Sequence, residues 1–96
     1  MKISYAIPVS NEWMQLEYLL NYLFKHKREQ DDIVVQCDKG NTTPSVYQVL
    51  EEFKDKVQII EFPLNKDFAS FKNNLKDHCS GDYIFQIDAD EYPDEY

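Results

Sequence analysis

Asp88-Ala89-Asp90 places two carboxylates at positions i and i+2, directly after the strand-like Phe85-Gln86-Ile87. On an extended chain the two leave on the same side. Carboxylates held together repel, and a cation between them relieves the cost. Mg²⁺ and Mn²⁺ take oxygen ligands, commonly one or two carboxylates plus substrate phosphates. The pattern therefore suits a divalent cation joining protein to a diphosphate, with Asp88 and Asp90 as ligands. The competing reading is a solvated acidic tail. Asp88, Asp90, Glu91, Asp94 and Glu95 all fall in the last nine residues, with no basic residue among them. Only a position at the end of a buried strand separates the two.

Asp38 is the second candidate. It follows the β-branched run Ile33-Val34-Val35 and precedes Gly40. A carboxylate there can accept the N–H of a nucleobase or a ribose hydroxyl, or it can simply close an Asx-type turn. Pro8, Ser10 and Glu12 follow an apolar run in the same way, and Lys72 lies within a helical pattern. His26 and His78 have no partners at metal-ligand spacing.

These residues need elements to position them. Ile3–Ile7 reads as a strand closed by Pro8. Ser10-Asn11-Glu12 supplies cap-type residues before a helix whose apolar positions are Trp13, Leu16, Leu20, Leu23 and Phe24. Lys25, Lys27 and Arg28 crowd its end, where cations favour the dipole. Asp32–Cys37 is a second strand. Thr43-Pro44 opens a helix with Thr as cap and Pro at the first position, followed by Val46, Val49, Leu50 and Phe53. Val57–Phe62 is a third strand, ended by Pro63. Asp67 caps a third helix with the stripe Phe68, Phe71, Leu75 and Cys79, and Gly81 marks its stop. Tyr83–Ile87 is the fourth strand. The order βαβαβαβ predicts an α/β fold: a mostly parallel four-stranded sheet, Rossmann-like, with helices on both faces. In such sheets ligands bind beyond the carboxyl ends of the strands. Asp38, Asp88 and the Pro8–Glu12 segment stand at that edge.

Composition narrows the function. The chain has 96 residues, 43% apolar and 29% charged, which is ordinary for one globular domain. A net charge of −8 argues against nucleic-acid partners and anionic membrane surfaces. It leaves nucleotides open, because a cation can mediate. With only Gly40 and Gly81, neither a dinucleotide fingerprint nor a P-loop can be written. Cys37 and Cys79 form no CxxC pair and read as buried thiols of a reducing, cytoplasmic compartment.

Four segments in order resemble the N-terminal half of a family 2 glycosyltransferase of the GT-A fold: Ile3–Glu12, Ile33–Thr42, Asn65–Asn73 and Gly81–Glu91. The likeness covers essentially the whole chain. It implies transfer of a sugar from a UDP- or GDP-linked donor to an acceptor (saccharide, lipid or protein), with inversion and a divalent cation, Mn²⁺ or Mg²⁺. Pro8, Ser10 and Glu12 would line the base and ribose pocket, Asp38 would meet the base, and Lys72 the base or diphosphate. Asp88 would meet ribose or metal, and Asp90 the metal. Thr43 and the Gln36-Cys37 pair depart from the family's pattern. The resemblance also implies that the acceptor-binding half and the carboxylate base lie beyond Tyr96, that these 96 residues alone do not turn over, and that later segments reach the inner membrane face. The alternative is a module that binds nucleotide or metal without chemistry. The strand order 3-2-1-4 would leave the fourth strand at an edge, a site for pairing with a second copy through 83–87.

Overall fold

A computed structural model describes residues 1–88. Asp90 of the Asp-x-Asp pair lies outside the described residues. Seven elements alternate: β1 Ile3–Val9, α1 Trp13–His26, β2 Asp32–Asp38, α2 Pro44–Phe53, β3 Gln58–Phe62, α3 Phe68–Asp77 and β4 Tyr83–Gln86. The sheet order is β3-β2-β1-β4, and every pair is parallel. Val9 pairs with Cys37 and Asp38 with Phe62, so β1, β2 and β3 end nearly level.

Side chains alternate between the two faces of a strand. Odd positions of β1 and β2 (Ile7, Val9, Ile33, Val35, Cys37) pack with Leu16, Leu19, Leu20 and Leu23 of α1 and with Val46, Val49, Leu50 and Phe53 of α2. Even positions (Ala6, Val34) pack with Leu75 of α3, Ile60 and Cys79. Helices therefore cover both faces, two on one side and one on the other. Each fully buried Leu contributes about 1.5–3 kcal/mol. Gln36 also points to the α3 face and is buried. Its Nε2 donates to the Phe71 carbonyl at 2.7 Å, and its Oε1 accepts from Asn74 Nδ2 at 2.7 Å. A buried amide left unpaired is costly, so this pair of bonds fixes α3 against the sheet. Both thiols are free. Cys37 is buried, which pushes its pKa up to about 11; Cys79 is half-buried.

The amino end of the sheet carries a closed polar network. Asp31 is buried; it accepts from Ile3 N at 2.8 Å and pairs with Arg28 Nε at 3.0 Å. Ser4, fully buried, donates to Asp32 Oδ1 at 2.5 Å and accepts from Gly81 N at 2.8 Å. Lys2 reaches Ser80 Oγ at 2.6 Å.

Several local expectations are corrected. β1 continues through Pro8 to Val9. Peptide groups alternate along a strand, and Ile87 N donates to Ala6 O, so even residues of β1 face β4. β4 pairs only as far as Ala6, and the donor that Pro8 lacks faces the open side. Trp13 and Phe68, read as core-facing, are 40% and 65% exposed; each is the first residue of its helix and overhangs the core. Leu19 takes a buried place instead. Thr43 is extended before Pro44, but its hydroxyl makes no capping bond. Gly81 does not end α3, which stops at Asp77. A Cβ at Gly81 would lie 2.6 Å from Ser4 N, so close approach to β1 is what requires glycine there.

Candidate functional site

At the carboxyl ends of the strands, on the α3 side, lies a cavity of about 300 Å³. It is lined by Pro8, Val9, Ser10, Glu12, Asp38, Leu64, Phe68, Phe71, Lys72 and Asp88. All six residues expected to hold a nucleotide sugar are among them: Pro8, Ser10, Glu12, Asp38, Lys72 and Asp88. They come from four separate stretches of chain. The remaining expected residue, Asp90, lies outside the described residues.

The loops that shape the cavity are held by their own hydrogen bonds. After β1 the chain turns back, and Glu12 accepts from Ser10 N at 2.9 Å. Ser10 ties this loop to the next one: its carbonyl accepts from Thr43 N at 3.1 Å and its hydroxyl donates to Asn41 O at 3.3 Å. After β2, Gly40 sits at φ +88°, in the left-handed region that glycine enters without cost. Thr42 Oγ1 donates to Asp38 O at 2.9 Å and closes that turn.

Asp38 sits on the even face of β2, toward α3, and is 7% exposed. Its Oδ1 accepts from Leu64 N at 3.0 Å. Among the described residues Oδ2 has no hydrogen-bond partner, so one acceptor of a nearly buried carboxylate is available. The β3–α3 loop that supplies Leu64 N contains Asn65 at φ 48° and Lys66 at φ 61°. Asp67 then caps α3, accepting from Ser70 N at 3.1 Å, and that bond holds its pKa below the usual carboxylate range.

Leu64, Phe68 and Phe71 give the cavity an apolar wall. Phe71 is buried, its ring tilted against Phe62 at 6.4 Å between centroids. Helical spacing alone puts both phenylalanines in the core stripe. The sign that Phe68 differs is its place immediately after the cap, at the end of the stripe facing the strand ends. Lys72 is exposed and contributes the cation of the lining. A flat group with N–H or O–H donors suits the apolar wall and the Asp38 acceptor, and an anionic group suits Lys72.

Among the described residues no three His, Cys, Asp or Glu side chains converge to cage a metal. Asp88 supplies a hard oxygen donor at the cavity. This donor set fits a cation shared with a diphosphate rather than one held by protein alone.

The sequence profile of "Glycosyl transferase family 2" matches residues 4–96. An "Uncharacterized glycosyltransferase" of Haemophilus influenzae is 31% identical over 78 residues, covering 77% of this chain and 29% of that protein. Crystal structures of S. aureus TarS 1-349, and of the same protein in complex with UDP, superpose with a TM-score of 0.81. They are 23% and 22% identical, and each match covers 96% of this chain and 28% of the other. That structural likeness shows the fold, of the GT-A type. The chain thus spans under a third of the length of these relatives. With the profile matched from the first strand onward, the chain belongs to glycosyl transferase family 2.

Proposed function

We propose that this chain is the donor-binding part of a glycosyltransferase and that the cavity holds a nucleoside-diphosphate sugar. The observation that carries the reading is the convergence of Pro8, Ser10, Glu12, Asp38, Lys72 and Asp88 on one cavity at the carboxyl end of the sheet. The UDP complex of TarS, a protein of the same fold, supports it. Pro8, Ser10 and Glu12 line the base and ribose region, and the available oxygen of Asp38 accepts a base N–H. Lys72 compensates diphosphate charge. Asp88 meets the ribose or, together with Asp90, a Mn²⁺ or Mg²⁺ ion. When bound, that ion neutralises charge developing on the departing diphosphate.

Transfer goes with inversion. The acceptor oxygen forms its bond to the anomeric carbon as the bond to the diphosphate oxygen breaks, and a carboxylate base takes the acceptor proton. The acceptor is a saccharide, a lipid or a protein, and the work is done in the cytoplasm. Self-association through the β4 edge belongs to the same proposal. β4 is an edge strand, and its Tyr83, Ile84 and Phe85 are 62%, 40% and 41% exposed. Sedimentation equilibrium is expected to show dimers; a monomer at high concentration contradicts this part.

Calorimetry tests the central reading. UDP or GDP is expected to bind the chain more tightly with Mn²⁺ than without it. No heat from either nucleotide, with or without the ion, contradicts it.

A further inference from the structure

Phe68 is 65% exposed, a large aromatic ring left in water at the rim of the cavity. Surface aromatics are common singly. This one, however, is held in place by an unusual local structure. Asn65 and Lys66 are consecutive non-glycine residues in the left-handed region, at φ 48° and 61°. Such conformations persist where the surroundings over-determine them, and they cluster at ligand sites. Here the bonds on either side do so. Leu64 N donates to Asp38 Oδ1 at 3.0 Å, and Asp67 N donates to Leu64 O at 2.8 Å. Asp67 then caps the helix that begins at Phe68. One short stretch of chain thus couples the position of the ring to the Asp38 carboxylate.

The other aromatic of the wall does not offer its face. Phe71 is buried and packed against Phe62, whereas no ring packs on Phe68 among the described residues. Aromatic faces stack on any nucleobase, because every base has a π-face.

We infer that Phe68 is the stacking platform for the nucleobase of the donor, holding the base so that its N–H meets the second oxygen of Asp38. The inference rests on the donor reading above. It divides the labour at the base: Phe68 supplies affinity for any base, and Asp38 selects bases that present an N–H.

The test is titration of the chain with UDP in the presence of Mn²⁺, followed by NMR of the uracil H5 and H6 protons. The wild type, Phe68→Ala and Phe68→Trp are compared. Since Phe68 is mostly exposed, both variants are expected to melt with the wild type. Phe68→Ala is expected to weaken UDP binding about tenfold and to abolish the upfield ring-current shift of H5 and H6, while Phe68→Trp restores both. Equal UDP affinity in the wild type and Phe68→Ala overturns the inference, as does persistence of the upfield shift in Phe68→Ala, or Phe68→Trp binding no better than Phe68→Ala. In all three cases the donor reading stands. If the wild type itself fails to bind UDP or GDP, the donor reading falls and the inference falls with it.

Discussion

The two ends of the sheet are both polar, and they use polarity in opposite ways. At the amino end, Lys2, Ser4, Asp32, Ser80 and the Gly81 amide satisfy one another, and beside them Arg28 and the Ile3 amide satisfy Asp31. Hydrogen bonds there join the loop after α1, β1, β2 and the segment before β4, and Gly81 lies against the β1 backbone with no room for a methyl group. At the carboxyl end the bonds that exist shape loops, as Glu12 does for Ser10 and Asp38 for Leu64. What they leave open is a cavity with one acceptor of Asp38, a lysine and an exposed ring. A closed network holds a fold together and offers little to a ligand. An incomplete one, backed by rigid strands, is where a ligand completes the set. The βαβ topology decides which end is which, because the helices begin where the strands stop.

The contrast is broken most sharply at Gly81. Gly81→Ala is expected to cost about 1–3 kcal/mol, since its new Cβ meets backbone rather than a flexible side chain. Thermal melting reads the loss. The folded fraction should keep its nucleotide affinity, and a variant as stable as the wild type contradicts the closed-end account.

Asp38→Asn is the mirror experiment. The amide oxygen can still accept from Leu64 N, so the melting temperature should hold, while removal of the charged acceptor weakens nucleotide binding on the order of tenfold. A large fall in stability with unchanged affinity would move Asp38 to the structural side.

A smaller effect sharpens the amino end. The Arg28 guanidinium, with the Ile3 amide, holds the Asp31 carboxyl down to about 2 from an ordinary 3.8. The folded state therefore prefers the ionised form. The resulting stabilisation is complete above about pH 4 and is lost as pH falls toward 2. Melting curves across that window are expected to fall more steeply for the wild type than for Asp31→Asn. Parallel curves would remove Asp31 from the network.

Much of the carboxyl end was legible in the sequence, and most of the amino end was not. Residues just past a strand are visible as short apolar runs that stop at polar ones, which is how Asp38, Ser10 and Asp88 could be found. The Gln36 clamp on α3, the Ser4–Gly81 contact and the Arg28–Asp31 pair with its Ile3 bond depend on elements meeting in space. The Ser4–Gly81 pair joins residues 77 positions apart, and no local pattern records that. Helical spacing showed which residues share a face, but not where the face outruns the core. Trp13 and Phe68 therefore looked buried, each at the first turn of its helix. Pro8 looked like a strand end because its missing donor is costly in a sheet interior. It is tolerated only because β4 stops short beside it.

The most direct test of the account is an amide NMR map of the chain as UDP and Mn²⁺ are added. Shifts confined to Ser10, Glu12, Asp38, Phe68, Lys72 and Asp88, with Ser4, Asp32 and Gly81 unmoved, are the predicted result. Shifts centred on the amino end, or none at saturating nucleotide, would contradict it.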